Sequence, residues 1–402
     1  MSRSRSGNAP WLNSTVLGIG LASLFSDWSH EIATAAMPAF LASLGVAAAW
    51  LGIIEGVADG ISSFAKLASG IYTDRLRRRK PIAVTGYLLT AVATAGFALA
   101  ANAWHVLLAR SAAWLGRGIR TPVRKALLAA SVSRESYGRA FGLERAMDTV
   151  GAIIGPATAL ILLQASRQNY RLLFFCTIVP GLLAAAVIAL LVKERERAPV
   201  PHVSFRERLE QLPHSYRRFL AAVATFGAGD FAHTMLILLA TQKLAATYGV
   251  ARASAIGVGL YMLHNVFYAT FSLLAGWVAD RRPKNVVLAA GYALAGVMTV
   301  TIIALPVTLV TLVAVFVLGG IYVAIEETLE DSLCAELVSE SHHGTAFGVL
   351  ATVNGIGDFV SSIVVGVLWS AFGTGIAFSY SAVLFFAGAC LVARIRVQPP
   401  TA

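Results

Sequence analysis

The sequence predicts an all-α polytopic membrane protein of about twelve transmembrane helices, arranged as two six-helix bundles related by a pseudo-two-fold axis. Three observations carry this. The 402 residues are 57% hydrophobic and only 13% charged, with a mean hydropathy of +0.71, more apolar surface than one soluble core can hide. Apolar stretches of roughly 20 residues, the length that crosses a hydrocarbon layer, recur from end to end with short polar connections between them. Finally, the basic residues sit in alternate connections.

The expected spans lie near 13–42, 48–73, 81–102, 104–130, 139–166 and 170–192, then 218–247, 253–279, 284–305, 307–328, 344–371 and 374–394. Arg3 and Arg5 precede the first span, and although 1–24 has the basic start and apolar run of a leader, Asp27, His30 and Glu31 interrupt it, so an uncleaved first helix is expected. Arg75, Arg77, Arg78, Arg79 and Lys80 follow the second span, and Arg134 and Arg139 lie between the fourth and fifth. Arg281, Arg282 and Lys284 follow the eighth. The connections around Gly45, Asn102, Gly249 and Gly373 carry few basic residues or none. Basic loops face the cytoplasm, so both termini are placed there, in an inner (plasma) membrane. The net charge of +11 is thereby explained by topology, and no nucleic-acid partner is implied.

The stretch 193–217 mixes charges with Pro199, Pro201 and Pro213 and reads as a cytoplasmic linker between a bundle at 1–192 and a second at 218–402. These halves repeat one another. Gly138-Arg-Ala140-Phe141-Gly142 returns as Gly344-Thr-Ala346-Phe347-Gly348, and Gly70-x-x-x-Asp74-Arg75 returns as Gly276-x-x-x-Asp280-Arg281, both at an offset of 206. Gly86-Tyr87 returns as Gly291-Tyr292, and Asp27-x-x-His30 as Asp230-x-x-His233. A parallel repeat of this kind puts the solute path between the halves, near the bilayer midplane.

Gly70-Ile-Tyr-Thr-Asp74-Arg75-Leu-Arg77-Arg78-Arg79-Lys80 resembles the loop signature G-x-x-x-D-R-x-G-R-R/K of the major facilitator superfamily, with Arg77 at the glycine position. Gly151-Ala-Ile-Ile-Gly155-Pro156 resembles the G-x-x-x-G-P core of that family's antiporter signature, and Arg110 its fourth-helix arginine. The resemblance implies a secondary transporter that works by alternating access, and the fifth-helix signature implies proton-coupled export of a small solute. Physically, Gly151 and Gly155 form a small-residue stripe that admits a neighbouring helix, with Pro156 beside it. Asp74 is placed to accept hydrogen bonds from a helix N-terminus and hold one conformation shut, with Arg75 beside it.

Ionisable groups at bilayer depth need a partner, a wet cavity or a function. Asp27 and Glu31 share one face of span one, and Glu55 and Asp59 one face of span two. Asp148 belongs to span five, while Asp230 and His233 come from the second half. The expected coupling site is Asp27 with Glu31 as proton or cation acceptor; the resemblance adds Arg110 as the deep counter-charge. Glu144, Arg145 and Lys66 read more simply as static ion pairs. An alternative uses Asp27, His30, Asp230 and His233 to hold a metal ion or chelate as cargo.

A gate is expected at the ends of spans four and ten. The offset of 206 carries Arg120 to Glu326, Arg124 to Glu330 and Lys125 to Asp331, a basic residue facing an acidic one each time. Enzymes fit poorly: there is no H-E-x-x-H, G-x-S-x-G or phosphate-binding glycine loop, and Ser63-Phe-Ala-Lys66 has only the spacing of a Ser–Lys dyad. Cys176, Cys334 and Cys390 read as small buried hydrophobes. No cofactor or resident metal is expected; the partners are a small-molecule substrate, protons and the lipid bilayer, with the protein acting as a monomer.

Overall fold

A chain crossing hydrocarbon must satisfy its own backbone, and helices do so within one segment. The computed structural model describes residues 10–46, 49–194, 207 and 210–395, and the described chain is helical throughout with no strand. The first half comprises α1 (Ser14–Ser43), α2 (Ala49–Thr73), α3 (Lys80–Ala95), α4 (Ala103–Ala129), α5 (Tyr137–Ala165), α6 (Tyr170–Cys176) and α7 (Ile178–Leu191). The second comprises α8 (His214–Gly227), α9 (Thr234–Tyr248), α10 (Val250–Ala279), α11 (Lys284–Ala304), α12 (Leu309–Leu337), α13 (His343–Phe372) and α14 (Thr374–Ala393). A short 3-10 turn, Gly96–Leu99, extends α3, and α6 with α7 makes a single crossing, as α8 does with α9. Side chains such as Leu108, Leu190 and Val310 stay exposed on the outer faces, as a lipid-facing surface requires.

Three boundaries depart from the sequence expectation. The tenth span runs nine residues further than 328, to Leu337, because Glu330 and Asp331 are held inside the protein and do not end the helix. The seventh span is not continuous, since the chain unwinds between Gly227 and Thr234. The freed carbonyls find side-chain donors: Tyr380 donates to the Ala228 oxygen at 3.0 Å and Ser361 to the Asp230 oxygen at 2.6 Å. Helix α8 also starts at His214, inside the stretch expected to be linker; most of 193–217 lies outside the described residues.

Among the described residues, eight helices are long and apolar enough to cross a membrane. The four crossings that fall short are α1, α2, α4 and the broken α8–α9 pair. These carry Asp27, Glu31, Glu55, Asp59, Arg110 and Asp230, although α5 and α12, which pass as apolar spans, also bury Glu144, Asp148, Glu326, Glu330 and Asp331.

Within the first half α1 packs on α5, and α4 on α2 and α3; in the second, α10 packs on α12, and α11 on α14. Glycines set the first contact: a methyl at Gly155 would lie 2.5 Å from the Glu31 Cβ, and one at Gly151 would strike the Leu24 carbonyl. The halves meet through α5 with α10 and α2 with α13. Both crossings are backbone to backbone. A methyl at Gly344 would sit 2.6 Å from the Gly70 oxygen, and one at Gly276 would overlap the Gly138 carbonyl. Repeat counterparts also touch each other, Phe141 with Phe347 at 5.7 Å and Tyr137 with His343 at 6.5 Å between ring centroids. Residues that meet their own counterparts lie beside the pseudo-two-fold axis. The cross-half contacts sit at the end of the molecule that carries the basic loops, hereafter the basic end.

Gly276→Leu is expected to push α5 from α10 and shift the protein toward conformations open at the basic end. Spin labels at the exposed Arg134 and Arg282 positions measure this; an unchanged distance distribution in the variant refutes it.

Candidate functional site

Between the halves lies a cavity of about 500 Å³. Its walls carry opposite charge. The first half contributes Lys66, Arg117, Arg120, Arg124, Lys125 and Arg145 with Asp27 and Asp148, whereas the second contributes Asp230, Glu326, Glu327, Glu330, Asp331 and Asp358 without a lysine or arginine. Helical spacing explains the cationic wall. Arg117, Arg120 and Arg124 fall three and four apart on α4, so one stripe faces inward.

Several of these charges are neutralised within the first half. Arg124 pairs with Glu144 at 2.7 Å and donates to Ser23 at 2.5 Å, and Ser23 in turn donates to Glu144 at 2.8 Å. Arg117 lies 3.6 Å from Asp27, and Arg145 donates to Asp148 at 3.1 Å. On the opposite wall, Tyr322 donates to Asp230 at 3.0 Å and approaches His233 at 3.4 Å. Glu330 accepts from Asn354 at 2.6 Å and from the Tyr292 hydroxyl. The unwound 228–233 segment places Asp230 and His233 on the cavity wall.

Among the described residues, polar contacts between the halves close the basic end. Asp74 accepts from the backbone N–H of Gly344 at 2.8 Å and of Thr345 at 2.7 Å, at the start of α13. Its counterpart Asp280 accepts from the N–H of Gly138 at 2.8 Å and from Arg139 Nε at 2.6 Å, at the start of α5. Burial raises both carboxyl pKa values, opposed for Asp74 by the Gly344 and Thr345 bonds and for Asp280 by Arg139 and Gly138. Each carboxylate capping a helix N-terminus stabilises the closed arrangement by about 1–2 kcal/mol. Lys125 pairs with Asp331 at 2.6 Å and Arg145 with Glu327 at 2.7 Å. Among the described residues no comparable packing joins α1 to α8 or α9 at the other end.

The expected charge pairs are thus redistributed. Of the three from the repeat, Lys125 meets Asp331, but Arg124 turns to Glu144 and Glu330 to Tyr292 and Asn354. Arg120 stacks over Tyr87, 4.1 Å from the ring centroid, and does not reach Glu326. Arg75 occupies the turn after Asp74. Arg110 is not the partner of Asp27 or Glu31: it binds Glu55 at 2.8 Å and stacks on Trp114, which donates to Asp59 at 2.6 Å. Glu31 stands 3.7 Å from His30 and does not line the cavity. The carboxylate that lines the cavity with Asp27 is Asp148, and the cation beside Asp27 is Arg117. His30 packs on Trp114 at 4.4 Å, so the four-ligand metal arrangement does not converge; among the described residues no group of three metal-binding side chains forms.

Sequence reasoning passed over Arg117, Glu327, Tyr322 and the working copy of Asp280. The signal for Asp280 was present, because Gly138 and Gly344 stand at equal repeat positions and each faces an aspartate. Nothing in the sequence singled out Tyr322, whose role depends on the break in the seventh span.

A sequence model described as Major Facilitator Superfamily matches residues 19–245 and 219–402. An uncharacterized MFS-type transporter of Methanocaldococcus jannaschii is 28% identical over 358 residues, 89% of either chain. The multidrug resistance protein MdtH of Cronobacter sakazakii is 28% identical over 315 residues, 77% of this chain and 75% of that one. Among solved structures, the human organic anion transporter MFSD10 superposes with a TM-score of 0.78 at 16% identity, covering 96% of this chain and all of that one, 100%. FucP in its outward conformation gives 0.75 at 19% identity, covering 96% and 99%. With residues 19–402 matched by the family model and its two bundles meeting around a charged central cavity, the chain belongs to the major facilitator superfamily of membrane transporters.

Proposed function

We propose that the protein is a secondary active exporter of a small solute, driven by proton antiport through alternating access, with the basic end facing the cytoplasm. One observation carries the reading: a charged cavity lies between two bundles that are latched together at the basic end by repeat-related contacts, Asp74 on α13 and Asp280 on α5. Such contacts break and re-form as a unit when one bundle rocks against the other, so they are a bistable element of the kind alternating access needs. Basic loops at the closed end support the cytoplasmic orientation. Export is supported by the relatives named multidrug resistance protein MdtH.

Coupling is assigned to Asp27 and Asp148, which share the cavity with Arg117, Arg124 and Arg145. Protonation of Asp27 removes its attraction for Arg117, 3.6 Å away, and releases that guanidinium to the cavity; deprotonation recaptures it. Glu55 and Asp59, tied to Arg110 and Trp114, serve as fixed partners that hold α2 on α4.

Asp27→Asn is expected to insert and fold normally while losing uptake of the exported solute into inverted vesicles driven by a proton gradient. Exchange down a solute gradient is retained. Concentrative transport by this variant at the parental rate refutes the assignment.

Lys125→Glu sets two carboxylates against each other at the closed end. The expected result is a population shift toward basic-end-open states of about tenfold and a matching loss of transport, with Lys125→Glu/Asp331→Lys recovering most of it. If accessibility labelling and transport place the double variant no nearer the parent than the single one, these residues form no gate.

A further inference from the structure

The repeat counterparts on α4 and α12 behave differently with depth. Lys125 and Asp331, nearest the basic end, are in direct contact. Arg120 and Glu326, about one turn deeper, both line the cavity, are both buried, and do not meet. Arg120 forms no ion pair among the described residues; its Nε and Nη1 lack hydrogen-bond partners, and its guanidinium lies over the Tyr87 ring face. Glu326 likewise has no hydrogen bond or ion pair among the described residues, and lies on a wall whose other charges are all carboxylates. A guanidinium buried without an ion pair, and a carboxyl buried on a wall of like charge, are each destabilised until a group of opposite charge, or for Glu326 a proton, answers them, and a solute bound in the cavity supplies both charges at once.

We propose that the cavity binds a zwitterionic solute, whose anionic group is held by Arg120 and whose cationic group is held by Glu326. This rests on the transporter reading but not on its proton coupling. A molecule with only an anion leaves the Glu326 wall uncompensated, and one with only a cation leaves Arg120 so. The volume of about 500 Å³ accommodates a solute of dipeptide or small-drug size. Because the two residues occupy equal repeat positions, the solute lies across the pseudo-two-fold axis. Its charges then draw the walls together where the protein's own ion pair is missing, so the bound solute belongs to the conformation that closes on it.

The test uses three probes of one scaffold, a free-ended aromatic dipeptide, its N-acetyl form and its C-terminal amide, at millimolar concentration. Binding to the purified full-length protein is read by thermal shift and by intrinsic fluorescence, with no ion gradient. The free-ended probe is expected to bind about tenfold or more tightly than either blocked form. Arg120→Gln removes the discrimination against the amide, and Glu326→Gln that against the N-acetyl form. The exchange Arg120→Glu/Glu326→Arg restores preference for the zwitterion in reversed orientation, which controls for misfolding of the single variants. Equal binding of the three probes, no binding by any of them, or an exchanged protein that has lost the preference while remaining folded overturns the proposal. Selective binding without proton-linked transport leaves the zwitterion site standing and removes the antiport reading instead.

Discussion

A charge inside a low-dielectric protein must be answered by another charge, a dipole or water, and this requirement organises the whole molecule. The crossings α1, α2, α4 and α8–α9, which fall short of an apolar span, bring charges to the interior, as do α5 with Glu144 and Asp148 and α12 with Glu326, Glu330 and Asp331. Arg110 with Glu55 fixes α4 on α2; Arg124 with Glu144 and Ser23 ties α4 to α5 and α1. Beyond these pairs, the cations of the cavity all come from the first half, together with Asp27 and Asp148, and the second half contributes carboxylates without a lysine or arginine.

Glycine supplies the second half of the design. Where α2 crosses α13 and α5 crosses α10, the backbones approach until a Cβ would clash, and only then do Asp74 and Asp280 reach the exposed N–H groups of the partner helix. Close approach and hydrogen bonding depend on each other, so the contact is formed as a whole or not at all. Its duplication about the pseudo-axis means that a rocking motion strains both copies together. The aromatic counterparts Phe141 and Phe347 mark the axis between them.

The break in the seventh span is the feature that separates the halves functionally. Helix α1 runs unbroken through Asp27 and His30, whereas their counterparts Asp230 and His233 sit in unwound chain capped by Tyr380 and Ser361. Unwinding frees backbone groups at membrane depth, and this is tolerated where side chains and a polar cavity answer them. The same repeat position thus carries a rigid acid–arginine pair in one half and a tyrosine-bound acid in the other.

Periodicity, hydropathy and loop charge determined the helical class, the paired halves and the crossings, because lipid imposes a length and a composition on each span separately. The 206-residue offset likewise singled out Lys125 with Asp331, which the axis brings together. What the sequence left open was pairing choice. Among the described residues Arg124 has two acidic neighbours, Glu144 at 2.7 Å and Asp148 at 3.8 Å, and pairs with Glu144, while Arg110 takes Glu55 on α2 and not the acids of α1. Such choices depend on helix rotation and on distances of a few ångströms, which are fixed only when all the helices pack at once. Tertiary structure decided, for the same reason, that Arg120 and Glu326 both line the cavity without pairing while their neighbours about one turn away are bonded.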